Sequence, residues 1–136
     1  MPKNYWLKPI KGEEDTLPDA WVEARPDLLK QVRFWRRPSD IKMGELIIYY
    51  ADRRLVAIVS AGEEGRSLYE THSDEEPGRS WALHVNKRKV VERINDAPSY
   101  EVLGIDSKSV RTQSHLRLNE AEFKRGEAAI DEVLVR

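Results

Sequence analysis

Tryptophan and tyrosine side chains are the most informative candidates for chemistry in this sequence. Four tryptophans and five tyrosines outnumber the two phenylalanines. Because Trp and Tyr carry a polar edge beside a ring face, they favour half-wet places such as pockets and interfaces. Trp6, Trp35, Tyr50 and Trp81 lie on separate predicted elements that a small barrel could bring together. A planar base is the natural ligand for such a cluster, and core packing is the alternative interpretation of each ring.

The sequence shows no pattern typical of a metal site or a phosphate loop. It contains no cysteine, and its three histidines, His72, His84 and His115, lie far apart without ligand spacing. There is also no Gly-rich phosphate loop and no nucleophile elbow. We therefore expect neither a metal nor a cofactor.

One acid–base combination remains, formed by Lys8, Lys42 and Glu45. A chain with 23 Lys and Arg and 24 Asp and Glu supplies such combinations by chance. An ionic or solvated role is the simpler interpretation of these three residues. We predict that the protein has no catalytic residues and is not an enzyme.

The charges are balanced overall but unevenly placed along the chain. A net charge of -1 gives no global attraction to nucleic acid. Cations are nevertheless dense between residues 30 and 54, which allows a local basic face or, equally, a mixed solvated surface. This stretch includes Lys30, Arg33, Arg36, Arg37, Lys42, Arg53 and Arg54.

Hydropathy gives no sign of a membrane segment. No apolar run approaches the roughly 20 residues that span a bilayer, and the chain does not open with an apolar signal segment. We expect a cytoplasmic protein.

Period-2 alternation and β-branched residues predict the strands. "MGELIIYY" and "LVAIVSA", joined by the tight connection "DRR", are predicted to form a hairpin. Other predicted strands are "NYWLKPI", "SWALHVNKRKVV" and "SVRTQSHLRL", with "EEGRSLYETH" as a polar edge. In the first of these, Tyr5 and Leu7 alternate to one side and Trp6 to the other, so that one side packs the core and the other faces a pocket.

Helical signals lie in three places. Asp19 is a predicted cap for "AWVEA", and Asp27, after the break at Pro26, is a predicted cap for "LLKQVRFWRR". The apolar residues of the second piece fall at helical spacing: Leu28, Val32 and Trp35. "INDAPSYEVLGI" predicts a turn and one short helix.

The third place is the end of the chain. Asn119 and Glu122 predict a capping box, and Phe123, Ile130 and Leu134 follow on one helix face. The total is five or six mostly antiparallel strands and about three flanking helices. We expect one α+β domain over residues 1–136, with the sheet curled into a small barrel.

Several stretches, in the same order, resemble the EVE domains of the PUA-like group, which also holds the YTH and ASCH domains. They are "NYWLKPI", "RFWRRPSDIKMGELIIYYADRRLVAIVSA", "RSWALHVNKRKVV" and "SVRTQSHLRLNEAEF". The resemblance covers nearly the whole chain. It implies a PUA-like pseudo-barrel whose mouth receives a flipped, chemically modified base. Proteins of this type often accompany modification-dependent restriction nucleases, which implies a partner nuclease.

Carried over by position, the resemblance implies a base-binding pocket and a backbone-contacting surface. The pocket residues would be Asn4, Trp6, Trp35, Tyr49, Tyr50, Trp81, Gln113 and Ser114. The nucleic-acid backbone would be contacted by Arg33, Arg36, Arg37, Arg53 and Arg54. In many EVE domains a Ser-Glu-Pro run continues the first strand; here Pro9, Ile10 and Lys11 replace it.

The sequence therefore favours a reader of a modified base, with DNA as the favoured partner and RNA as the alternative. Two other functions stay open. One is an ASCH-type hydrolase that acts on a modified nucleoside through lysine and glutamate, and the other is a protein-interaction module.

Overall fold

The computed structural model describes residues 4–10, 17–34, 40–62, 69–71, 81–106 and 115–136. Within these ranges the chain forms seven strands, two α-helices and three short 3-10 helices. The strands are β1 (Tyr5–Pro9), β2 (Gln31–Phe34), β3 (Leu46–Ala51), β4 (Arg54–Ala61), β5 (Tyr69–Thr71), β6 (Trp81–Val90) and β7 (Leu116–Leu118). The α-helices are α1 (Trp21–Ala24) and α2 (Glu120–Leu134), and the 3-10 helices span Pro26–Leu29, Ile94–Asp96 and Tyr100–Leu103.

The strands form one sheet in the order β2-β6-β4-β3-β1-β7, with β5 also paired to β6. Every pairing is antiparallel except that of β1 with β3. The two ends of this order nevertheless meet. Phe34 on β2 contacts both Lys8 on β1 and His115 beside β7. The sheet is therefore curled into a half-barrel, which confirms the predicted α+β fold with a barrel-like sheet.

The β3–β4 hairpin confirms the clearest strand prediction. Its two turn residues, Asp52 and Arg53, have φ values of 48° and 64°. Left-handed φ at both positions is typical of the turn whose twist matches the flanking strands. Asp tolerates this conformation, whereas Arg adopts it at a cost.

The two faces of β1 separate as alternation predicted. Tyr5 stacks on Phe123 of α2, with ring centroids 4.3 Å apart and planes 17° apart. Helix α2 lies close on this outer face, because a Cβ at Gly126 would stand only 2.9 Å from the side chain of Ile48. Trp6 lies on the opposite face, inside the curl of the sheet.

The structure bears out the capping box at the start of α2. The Asn119 side chain accepts from the Glu122 amide at 2.7 Å, and the Glu122 side chain accepts from the Asn119 amide at 2.8 Å. Phe123 and Ile130 are buried as expected, whereas Leu134 is largely exposed at the end of the helix.

The predicted helix over "LLKQVRFWRR" is wrong. Of its described residues, Leu28 and Leu29 belong to the short 3-10 helix Pro26–Leu29, and Gln31–Phe34 is a strand paired with β6. Buried Val32 and Phe34 alternate there with half-buried neighbours. This period-2 pattern and the hydrogen bonds offered by β6 outweigh a weak helical spacing.

Neither predicted aspartate cap forms. Asp27 binds the Arg25 guanidinium at 3.0 Å. Asp19 accepts the Asn95 amide at 2.8 Å and so ties α1 to a distant 3-10 helix. Of "SVRTQSHLRL", Leu116–Leu118 is a strand, and residues 107–114 lie outside the described ranges.

Candidate functional site

Where the two ends of the curled sheet meet, six polar and aromatic side chains come together. β1 supplies two of them at alternate positions, three others stand at the end of β2 and directly before β3 and β7, and Asp40 lies in the connection from β2 to β3. We call this group the Lys8 cluster. Its members are Trp6, Lys8, Phe34, Asp40, Glu45 and His115.

Glu45 anchors the cluster through three N–H donors. Its Oε1 accepts from the Trp6 indole at 3.0 Å and from the Lys42 amide at 2.7 Å. Its Oε2 accepts from the Asn4 amide at 2.9 Å. Only 5% of Glu45 is exposed. A buried carboxylate is tolerated when donors satisfy it in this way, so Glu45 fixes the Trp6 rotamer and joins the start of β1 to that of β3.

The His115 imidazole packs against two larger rings. Its centroid is 5.3 Å from that of Trp6, with planes at 58°. It is also 5.3 Å from that of Phe34, in a perpendicular arrangement at 89°. The ring Nε2 contacts Asp40 Oδ1 at 2.9 Å and Oδ2 at 3.1 Å. The His115 side chain is 11% exposed and that of Asp40 is 57% exposed, so the acid holds the ring from the solvent side.

Lys8 is the unusual member, because lysine is rarely this well buried. Only 8% of Lys8 is exposed, and its Nζ lies 4.7 Å from the Phe34 ring centroid. This is cation–π geometry, in which the ring face partly compensates the ammonium for lost water.

Three of the predicted pocket residues, at the start of the chain and on β3, lie in or near the cluster. Trp6 belongs to the cluster, and Asn4 reaches it through its backbone amide. Tyr49 lies deeper in the same interior, with its ring edge against Trp21, and its hydroxyl donates to the Leu28 carbonyl at 2.6 Å. Burial, with a smaller contribution from the charge of Asp27, raises the pKa of Tyr49 well above its ordinary value.

Tyr50 is not brought together with Trp6. In the parallel pairing, Trp6 is aligned with Ile47, whereas Tyr50 is aligned with Pro9, an odd number of residues along the strand. Alternation therefore directs Tyr50 to the opposite face. There it packs edge-to-face on Tyr100, with centroids 5.8 Å apart.

The structure does not describe the side chains of the remaining predicted pocket residues. The backbone of Trp81 pairs with that of Phe34 in the β2–β6 ladder. Trp35, Arg36, Arg37, Gln113 and Ser114 lie outside the described residues.

The described cations of the predicted backbone surface lie away from the cluster. Arg33 alternates with the inward-facing Phe34 and acts on Asp27, whose pKa is lowered mainly by its hydrogen bond to Arg25. Arg53 occupies the hairpin turn, at the opposite end of β3 from the start that Glu45 adjoins. Arg54 donates to the Ala97 carbonyl at 2.7 Å.

Sequence reasoning did not place Phe34, Asp40 or His115 in a site. One signal was available for Lys8, since period-2 alternation puts it on the same face as Trp6. The sequence pattern raises His115 only as a metal-ligand candidate. Among the residues that the structure describes, no three His, Cys, Asp or Glu side chains come close enough to hold a metal ion.

The sequence matches no protein-family model and no curated protein. Solved structures are similar in fold. The crystal structure of protein Atu2648 from Agrobacterium tumefaciens matches with a TM-score of 0.52 and 17% identity, over 93% of this chain and 92% of that one. The NMR structure of Rpa0253 from Rhodopseudomonas palustris matches with 0.57 and 11%, over 97% and 94%. The YTH domain of Mmi1, crystallised in complex with RNA, matches with 0.58 and 10%, over 98% and 80%.

The fold is a PUA-like pseudo-barrel. Within this pseudo-barrel, the Lys8 cluster lies at the seam where β2 meets β1 and the residue preceding β7. Over the described ranges of the chain, no helix has the length and apolar character needed to cross a membrane.

Proposed function

We propose that the protein is a nucleic-acid-binding module that takes one modified base into the Lys8 cluster. The observation that carries this proposal is the position of His115. A planar nitrogen heterocycle already packs against both Trp6 and Phe34. A flipped base has the same chemical character, and it would replace the imidazole.

The free energy of the His115 contacts that are lost is comparable to that of the contacts a base gains, so a base can displace the imidazole. The Asp40–His115 contact is half exposed to solvent, and contacts of this kind contribute about 0–1 kcal/mol. Each ring contact of His115 adds about 0.5–1.5 kcal/mol. A base that stacks on aromatic side chains gains about 1–3 kcal/mol, and hydrogen bonds from the pocket to the base edge add to this binding energy.

Two exposed cations adjoin cluster residues through their backbones. Arg117 is aligned with Trp6 in the β1–β7 ladder and is exposed. Lys42 is exposed beside Glu45, to which its amide donates. We assign phosphate contacts to these two residues, with a loss of affinity in salt of about -0.9 per contact on a log–log plot for duplex DNA.

The sequence resemblance to EVE domains supports the base reader and favours DNA. The fold shared with a YTH domain solved in complex with RNA supports nucleic acid more broadly. Each binding test therefore uses RNA oligonucleotides as well as DNA oligonucleotides. A partner nuclease, as in a modification-dependent restriction system, is the further part of this proposal.

Binding without turnover is the proposed mode of action. Glu45, the acid of the predicted acid–base set, accepts hydrogen bonds from three N–H donors within the protein, and this supports a structural role. Mass analysis of modified nucleosides incubated with the protein checks this. Turnover that is lost in Lys8→Met or Glu45→Gln would instead identify a hydrolase.

Fluorescence anisotropy with DNA and RNA oligonucleotides that carry single modified bases tests the binding proposal. We expect His115→Ala to bind the preferred base up to about tenfold more tightly, because the displaced ring contacts no longer compete. His84→Ala is the matched control, since His84 lies on the β6 strand between inward-facing Leu83 and Val85. Weaker binding by His115→Ala would contradict displacement, and no binding to any oligonucleotide would refute the proposed function.

A further inference from the structure

We infer that Met43 fills the gap that a flipped base leaves behind, and that the partner is therefore a double-stranded nucleic acid. A base drawn out of a duplex leaves an empty position in the stack, held open by the opposite strand. This inference rests on the proposed function, because it concerns how the same site obtains its base.

Met43 is an exposed apolar side chain beside the Lys8 cluster. Among the described residues, four large hydrophobic side chains are well exposed, and Met43 is 51% exposed. The other three, Val102, Leu134 and Val135, lie on or beside α2, which packs on the outer face of the sheet. Single exposed apolar residues are common on protein surfaces, so the position of Met43 carries the argument.

The segment that contains Met43 borders the solvent side of the cluster. Asp40 holds His115 from that side and lies three residues before Met43. Ile41, between Asp40 and Met43, is fully buried and fixes this segment against the core. A base that displaces His115 would pass Asp40 as it enters, and Met43 would then face the nucleic acid from which the base came.

Hydrogen bonds hold the turn around Met43 in a fixed shape. The preceding residue, Lys42, donates its amide to Glu45 Oε1 at 2.7 Å, and its carbonyl accepts the Glu45 amide at 3.1 Å. The following residue, Gly44, has a φ of 85° and donates its amide to the Ala61 carbonyl at 2.7 Å. Both neighbours of Met43 are therefore tied to residues at the start of β3 or the end of β4. A side chain presented on such a turn loses little conformational freedom when it binds.

Methionine suits this role chemically. Proteins that unstack a duplex insert apolar side chains between base steps, and methionine is one of the types they use. Its unbranched, polarisable side chain adapts to irregular gaps and contacts aromatic rings favourably. Moving Met43 from water into the vacated position also removes apolar surface from solvent. A single strand offers no such position, because no opposite strand holds it open.

Fluorescence anisotropy with matched single strands and duplexes tests the inference. Each oligonucleotide contains methylcytosine, hydroxymethylcytosine, methyladenine or no modification at one central position, in DNA and in RNA. Met43→Ala should weaken binding of the preferred base in a duplex about tenfold, and in the single strand by less than about twofold. Met43→Leu keeps the apolar bulk and should bind both forms nearly as the wild-type protein does.

Leu134→Ala is the matched control, since it also shortens an apolar side chain, 45% exposed at the end of α2. It should bind both forms as the wild-type protein does. Met43→Ala should keep the wild-type Tm, because substitutions of exposed residues usually change stability little. If it melts earlier, the ratio of duplex to single-strand affinity still decides, since partial unfolding lowers both.

The two ways of failing are distinct. Binding of the preferred base only in single strands, an equal effect of Met43→Ala on both forms, or an equal duplex defect in Leu134→Ala overturns the role of Met43 and leaves the base reader standing. Absence of binding to every oligonucleotide, modified or not, overturns the proposed function itself.

Discussion

Replacing Glu45 with glutamine is the sharpest test of how the cluster is held together. The side chains have the same shape, but the amide has one oxygen and one donor group. The best orientation keeps the oxygen on the side of Oε1, where two donors converge, and turns the NH₂ toward the Asn4 amide. Two donors then face each other across a contact that is 2.9 Å in the wild type.

The magnitude follows from the bonds that change. One hydrogen bond to a charged group, worth about 1.5–3 kcal/mol, is lost. The bonds from the Trp6 indole and the Lys42 amide become neutral and fall to about 0.5–1.5 kcal/mol each. Relief of carboxylate desolvation offsets part of this. We expect a net loss of about 2–3 kcal/mol in the free energy of unfolding, which lowers Tm by roughly 10 °C in a chain of this size.

Thermal melts measure this loss, and amide exchange shows where it arises. The Asn4 amide should exchange faster in Glu45→Gln, whereas the Trp6 indole should keep most of its protection. Glu92→Gln is the matched control, because Glu92 is exposed and the same substitution there should leave Tm nearly unchanged. If Glu45→Gln has the same Tm as Glu92→Gln, Glu45 does not anchor the cluster and the reasoning is refuted.

Two further substitutions test other parts of the fold. Tyr49→Phe removes the hydroxyl that donates to the Leu28 carbonyl and should cost about 1–3 kcal/mol near pH 7. Because the pKa of Tyr49 is raised in the folded state, its stabilising effect is full below the unfolded pKa of about 10 and is lost as pH rises above it. The deficit of Tyr49→Phe should therefore shrink in urea titrations above that pH, and a constant deficit would contradict the burial of the phenol. Arg53→Gly relieves a left-handed residue at φ 64° and should raise stability by up to about 1 kcal/mol, without changing the salt dependence of nucleic-acid binding. A flatter salt slope would show that Arg53 contacts phosphate.

Local signals in the sequence predicted most of the elements. The hairpin from Leu46 to Ala61 is marked by β-branched runs around a short turn, and the capping box at Asn119 fixes the start of α2 within the sequence itself. The failure at Gln31–Phe34 has a different cause. Val32 belongs both to the helical spacing with Leu28 and to the alternation with Phe34, and pairing with β6, which is distant in sequence, favours the strand.

The candidate site was harder to predict than the fold. Alternation placed Trp6 away from Tyr5 correctly, but it could not show which partner Trp6 would meet. Phe34 and His115 come together only because the sheet curls until its ends touch. The sequence predicted a curled sheet, but which side chains meet where its ends touch depends on the twist of the whole sheet and not on a local pattern.

The cluster divides into members that hold the structure and members that can exchange. Glu45 and Phe34 are buried, and Glu45 has three contacts whose loss we expect to cost several kcal/mol in sum. His115 is held by Asp40 from the solvent side, at a cost of displacement that stacking of a base can match. Lys8 stands between these two groups. Its stem is fixed in β1, while its ammonium faces the ring of Phe34 beside the imidazole. Fixed residues surround one exchangeable ring and one buried charge, and selective binding of a single base requires such a frame. The frame residues are already ordered when the protein folds, so the free energy of binding depends only on the exchange of the ring for the base.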